Sequence, residues 1–173
     1  MSLQSTDPVT NPLYYLDYLE FVLEFVRARY SDVLNFNEQQ ILDRFFACSL
    51  NARALYARLL TRKPVYFRVD KLAYSEIDHL SSAIDELVQF QFLELAVPSR
   101  RDLNVLMRSK AELKSCGALG ALGLIQANRQ DIDDALLVSN YELPNLSIVR
   151  QRKRGVMSIC QHLFFGNPHQ HLD

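Results

Sequence analysis

The feature that most constrains the fold is a change of period within residues 55–74, LYARLLTRKPVYFRVDKLAY. Leu55, Leu59 and Leu60 recur at helical spacing up to about Thr61, and Pro64 then removes a backbone donor and ends the helix. Beyond it Val65, Phe67 and Val69 alternate with Tyr66 and Arg68, the period-two pattern of a short strand. Such a strand is expected to turn Val65, Phe67 and Val69 to the core and Tyr66 and Arg68 to solvent. The same stretch concentrates charge. Residues 53–71 hold six basic side chains (Arg53, Arg58, Arg62, Lys63, Arg68, Lys71) against Asp70 alone, whereas residues 72–99 hold five acids and no Lys or Arg. The net charge of -1 therefore conceals a marked asymmetry. Basic charge interleaved with tyrosines is what a phosphate-facing surface needs. A solvated charged face supported by the acidic segment is the alternative reading.

The flanking sequence supplies the other elements. Asn11-Pro12 opens a helix carrying Leu16, Leu19, Leu23 and Val26 at spacings of three and four. Asn37, with Gln40 three residues on, is expected to cap a second helix that buries Ile41, Leu42, Phe45 and Phe46, and Ser49 a third. Ser75-Glu76-Ile77-Asp78 reads as the capped start of a fourth, with Ile77, Leu80, Ile84, Leu87 and Val88 inward. Residues 92–95 read as a second short strand, closed by Pro98. This order implies a mainly α (α+β) chain: a winged helix-turn-helix with a small two-stranded wing.

Past Pro98 the pattern shortens. Ser99 starts a small helix, Ser109 with Glu112 makes a capping box, and Gly117, Gly120 and Gly123 crowd a link before a helix capped by Asn128. Arg150, Arg152, Lys153 and Arg154 read as a basic helix start, or as part of an interface. The division expected is residues 1–11 as a disordered or appended N-terminus, 12–98 as the winged helix, 99–140 as a helix-link-helix module, and 141–173 as a C-terminal helical segment.

Catalytic motifs are not found. Glu112-Leu113-Lys114 has a nuclease-like spelling, but it sits in a capping box with no Pro-Asp strand before it. His169 and His171 have no carboxylate or thiolate cluster beside them, and Cys48, Cys116 and Cys160 are odd in number and far apart. They read as buried reduced thiols. No apolar run is long enough to span a bilayer, and no signal peptide is visible, so a cytoplasmic location, or a nuclear one in a eukaryote, is expected.

Tyr14-Tyr15-Leu16, the phrases LYARLLTRK at 55–63 and FRVDKLAYSEI at 67–77, and residues 87–93 together resemble the N-terminal part of the Fanconi-associated nuclease family, the VRR-NUC domain nucleases of bacteria and eukaryotes. The likeness covers roughly residues 12–98. Residues 111–137 resemble a degenerate SAP module, with Glu112-Leu113-Lys114 opening its first helix and Arg129 its second.

The resemblance implies a DNA-binding region of a nuclease that cuts 5′ flaps and other branched DNA in interstrand crosslink repair, with a metal-dependent catalytic domain further along the parent chain. Mg²⁺ or Mn²⁺ would belong to that domain, and no cofactor is expected in these 173 residues. It also implies DNA contacts at Arg58, Arg62, Lys63, Arg68, Lys71 and Tyr74, with Tyr15 as a further candidate. The expected partners are duplex or branched DNA, the rest of the parent nuclease, and a second copy in a homodimer. A winged-helix interaction or dimerisation module without DNA affinity is the competing expectation, and a free-standing enzyme a remoter one.

Overall fold

The computed structural model describes residues 10–96 and 101–166, so expectations placed on residues 1–9, Pro98, Ser99, His169 and His171 lie outside the described residues. The chain forms two compact units and passes between them four times, three of these within short strands and one after Lys71. Unit 1 comprises its described residues up to Phe67, residues Leu72–Glu94, and those from Arg150 onward; unit 2 comprises Arg68–Lys71 and the described part of Leu95–Val149.

Unit 1 holds α1 (Tyr14–Arg29), α2 (Phe36–Ala47), α3 (Leu50–Leu60), α4 (Leu80–Gln89) and α9 (Arg154–Phe165). Helix α3 is its centre. Ala52, Ala54, Leu55, Tyr56, Ala57 and Leu59 are all buried, so most of its circumference is packed, chiefly against α4 and α1. Phe45, Tyr56 and Phe92 form one aromatic cluster, with Tyr56 and Phe92 centroids 4.9 Å apart in edge-to-face contact. Each such pair adds about 1 kcal/mol beyond the area it buries. Helix α9 packs back on α1 through Phe164, which meets Phe21 and Phe25 edge-on.

The caps follow local chemistry with two corrections to the sequence reading. Ser49 caps α3 as expected, accepting from the Ala52 amide. Helix α2 is capped by Asn35 and Glu38, a full capping box, rather than by Asn37 with Gln40. The Gln39 amide instead donates to the carbonyls of Ser31 and Leu34, which binds the preceding turn to the helix start. Helix α4 begins at Leu80, not at Ser75. Glu76, inside the stretch expected to open it, is drawn to Arg58 and Tyr15, and His79 enters the helix with φ 51°.

The strands are β1 (Tyr66–Arg68), β2 (Leu93–Leu95) and β3 (Ile148–Gln151), in the order β1-β3-β2. The two strands read from the sequence thus do not pair with each other; a third lies between them, built from residues that had been assigned to the approach of a helix. Within unit 1, Gln151 N donates to Val65 O and Arg152 N to Phe92 O; within unit 2, Val69 N donates to Ser147 O and Ala96 N to Ile148 O. Both pairings are antiparallel. Ile148, Val149 and Gln151 are buried while Arg150 is exposed, too short a pattern to separate from helix by period.

Unit 2 is helical: α5 (Arg101–Leu106), α6 (Lys110–Ser115), α7 (Ala118–Ala121) and α8 (Arg129–Val138). Its core is Val105, Leu113, Ala118, Leu119, Ile132 and Leu136. Ser109 with Glu112 caps α6, and Asn128 caps α8, both as expected. Gly117 turns the chain from α6 into α7 at φ 84°, a conformation that costs a side-chain-bearing residue about 1–2 kcal/mol. The expected class, mainly helical with a small wing, is the one observed, with three antiparallel strands in place of the two expected.

Candidate nucleic-acid interface

The sequence-derived candidates fall in both units. In unit 1 the C-terminal turn of α3 brings Arg58 and Arg62 to one side of the helix, and Lys63 follows in the exposed turn to Pro64. The backbone there is held from far along the chain. Arg154, at the start of α9, donates through Nη1 to the carbonyls of Arg62 (2.9 Å) and Pro64 (3.2 Å), with Nη2 at 3.5 Å from the Leu60 carbonyl. It thereby caps the carbonyl end of α3 with a positive charge, where the helix dipole favours one.

Around Arg58 lies a cluster that orients cations. Its guanidinium sits 3.9 Å from the Tyr15 ring centroid and 5.9 Å from that of Tyr74. Arg58 Nε donates to Glu76 Oε1 at 2.7 Å, and Nη2 lies 2.5 Å from the same oxygen. The Tyr15 hydroxyl also donates to Glu76 Oε1, at 3.2 Å. Burial, aided by the Glu76 charge, pushes the Tyr15 phenol up to about 12, so it stays a donor. Burial also works against ionising Glu76, but a backbone N–H and the Arg58 guanidinium outweigh it and hold the carboxyl below its ordinary value. Arg62 reaches over the other ring, 5.4 Å from the Tyr74 centroid. The buried Tyr74 hydroxyl has no hydrogen-bond partner among the described residues.

Tyrosine faces and one carboxylate thus fix Arg58 and steer Arg62. Neither Arg62 nor Lys63 has a carboxylate within ion-pair distance among the described residues, and both are exposed. Beside this cluster α1, α3 and α9 border a groove of about 470 Å³ lined in part by Tyr14, Tyr15, Tyr18 and Leu60. Because most of the circumference of α3 is packed, little of its flank is open to a DNA groove of the kind a recognition helix enters. What it offers is the side-chain donors of Arg58, Arg62 and Lys63 at its C-terminal end, of a kind that suits a phosphate backbone.

Arg68 and Lys71 lie in unit 2 and are differently employed. Arg68 was expected to face solvent; it is buried, with 8% of its side chain exposed. Its Nε and Nη2 form a fork on Asp70, at 3.0 and 2.6 Å, while Nη1 donates to Met107 O and to Glu112. Two carboxylates and a carbonyl satisfy the guanidinium and offset its desolvation, which period-two reasoning cannot foresee. Val65, expected inside, is 40% exposed. Lys71 is exposed and lies 3.4 Å from Glu112. Sequence reasoning missed Glu76 and Arg154. Arg154 carried one signal, a run of basic residues with few nearby acids. Glu76 carried none, because its partners are remote in the chain.

Three basic residues of the helix-link-helix segment, Arg108, Lys110 and Arg129, serve unit 2 itself. Arg129 donates to the carbonyls of Val105, Leu106 and Arg108, closing the end of α5, and pairs with Asp133. Arg108 donates to Pro144 O, and Lys110 to Ala127 O. Among the described residues no group of three or more His, Cys, Asp or Glu side chains is placed to hold a metal ion, and no helix is long and apolar enough to cross a membrane.

Comparison with known proteins agrees with this architecture. Residues 13–94 match the family model described as FAN1, HTH domain. The chain is 34% identical over 128 residues to Fanconi-associated nuclease 1 of Homo sapiens, and 32% identical over 83 residues to the Fanconi-associated nuclease 1 homolog of Pseudomonas aeruginosa. Those alignments take in 72% and 48% of this chain but only 13% and 15% of the two relatives, so the chain spans a small part of their length. A crystal structure of paFAN1 bound to 2-nt 5′-flap DNA with a gap superposes at a TM-score of 0.75 and 22% identity, covering 92% of this chain and 31% of that one.

Proposed function

We propose, from the premise that residues 13–94 belong to the FAN1 HTH domain family, that this chain is a DNA-binding region of a structure-specific nuclease. It grips duplex arms of branched DNA through phosphate contacts. The observation that carries the reading is the pair Arg62 and Lys63: exposed, without carboxylate partners among the described residues, and set on a turn whose backbone Arg154 clamps. Arg58, pinned by Glu76 and Tyr15, presents its remaining donors beside them. Tyr74 adds a ring edge suited to sugar or phosphate. Arg68 is spent on Asp70 and Glu112, so its part in this reading is to hold the strand that follows the turn.

Contacts of this kind read shape and charge rather than bases. The helix-link-helix segment of unit 2 is the SAP-like part of the reading, and its Arg108 and Arg129 act within the fold. Phosphodiester cleavage, with Mg²⁺ or Mn²⁺, belongs to a catalytic domain of the parent nuclease, in the cytoplasm or the nucleus.

Fluorescence anisotropy with a 5′-flap duplex tests this. Affinity should fall as salt rises, by about one power of salt concentration per phosphate contact. The double variant Arg62→Glu, Lys63→Glu should bind at least about tenfold more weakly at moderate salt. Unchanged affinity in that variant, with its fold intact, would overturn the assigned surface.

A further inference from the structure

The run of basic residues before α9 is not used by the surface just described. In the structure it joins an arginine from α2. Arg150 and Arg152, from the end of β3 and the residue after it, both reach Glu94 Oε2, at 3.7 and 2.9 Å, and remain about half exposed. One carboxylate thus faces two guanidinium groups. Arg44 on α2 spends Nη1 on the neutral Gln91 Oε1, at 3.3 Å. Lys153, with φ 65°, projects from the turn that starts α9, and no carboxylate lies within ion-pair distance of it among the described residues. Burial lowers the pKa of its ammonium, and so do the nearby charges of Arg152 and Arg44, which places all three in one repulsive field. The start of α9 beside them has no side-chain cap, so its amide end adds positive potential.

Four cations against one carboxylate is a costly local charge for a chain whose net charge is -1. Structural needs do not explain it. Arg154 alone of the run caps a helix, and the Tyr56 hydroxyl already anchors the turn by donating to the Arg152 carbonyl at 2.5 Å.

We propose that Arg44, Arg150, Arg152 and Lys153 form a second phosphate-backbone site, contacting a stretch of nucleic acid separate from the one held by Arg62 and Lys63. It rests on the reading of the chain as a DNA-binding region. Cations on several elements beside a free helix start fit the spaced charges of a nucleic-acid strand. The turn at Arg154 links the two surfaces, because Arg154 touches the carbonyls of Arg62 and Pro64 while Lys153 is its neighbour in the chain.

The test uses the full chain and a 5′-flap duplex, titrated across salt concentrations. The triple variant Arg44→Gln, Arg152→Gln, Lys153→Asn should flatten the slope of log affinity against log salt by about 2 to 3. Asn is chosen at 153 because it tolerates a left-handed backbone. Glu94→Gln removes the opposing carboxylate and should tighten binding and steepen the slope, a gain that loss of fold cannot imitate. Circular dichroism confirms the fold of each variant. A wild-type slope and affinity in the triple variant, with no gain in Glu94→Gln, overturns the second site and leaves the patch to an acidic protein. If the Arg62→Glu, Lys63→Glu variant weakens binding in the same series, the first reading survives that failure; if wild type shows no salt-dependent binding, both fall.

Discussion

Arg154 is the residue whose removal tests the architecture of the interface most directly. Its side chain donates to the carbonyls of Arg62 and Pro64 at 2.9 and 3.2 Å, and to Gln151 Oε1 at 3.1 Å. The 3.5 Å approach to Leu60 O is too long to weigh. Hydrogen bonds from a charged donor contribute about 1.5 kcal/mol each at the low end of their range, the fitting end for a half-exposed group. A cation at a helix C-terminus adds about 0.5 kcal/mol. Partial replacement by water in the variant reduces the sum, so Arg154→Leu should lose about 2–3 kcal/mol. For a chain of this size that is a fall of about 5–10 °C in melting temperature. Arg154→Lys keeps the charge but not the planar guanidinium whose Nη1 reaches both carbonyls, and should recover less than half of the loss. Urea unfolding followed by circular dichroism reads the stability, and flap-duplex anisotropy reads the function. The expected functional effect is weaker binding in Arg154→Leu with Arg62 and Lys63 still present. A stability loss under about 0.5 kcal/mol, or complete recovery by lysine, would refute the claim that the Arg154 guanidinium holds this turn.

Two further outcomes follow from unit 2. Arg68→Met should destabilise the protein by about 3 kcal/mol in urea unfolding, because Asp70 and Glu112 lose their shared cation and the Met107 carbonyl its donor; a change within 0.5 kcal/mol of wild type would show the network to be idle. Glu112 is held at about 2 by its hydrogen bonds to Ser109 and then by Arg68, well below the ordinary glutamate range. A depressed carboxyl stabilises the fold at pH above its unfolded value and loses that contribution as pH falls towards the folded one. Stability attributable to this group should therefore be level above pH 5 and decline from about pH 4.5 to about 2, and Glu112→Gln should remove that part of the decline. Parallel acid profiles in the two proteins would contradict the assignment.

Legibility tracked the range of the interaction. Ser49, Ser109 and Asn128 could be named as caps because a cap and its amide are three residues apart. The change of period at Pro64 was visible for the same reason, as was the concentration of charge in residues 53–71. Asn35 was missed in favour of Asn37 because two asparagines compete within one turn, and the choice lies with Gln39 and the Ser31 and Leu34 carbonyls. Strand β3 was missed because four residues of β structure have no readable period, and their partners lie more than fifty positions away.

The amino-acid sequence alone determined the helical order of the chain, the break at Pro64, the two outer strands of the wing, and which side chains carry positive charge. These rest on backbone preference and on spacing, which act within a few residues. Tertiary structure alone decided which charges are free. Arg68 and Arg62 look alike in the sequence, yet one is enclosed by Asp70, Glu112 and the Met107 carbonyl while the other stands exposed beside Tyr74. A guanidinium is available to a phosphate only if no nearer acceptor has claimed its donors, and those acceptors are brought to it by the fold.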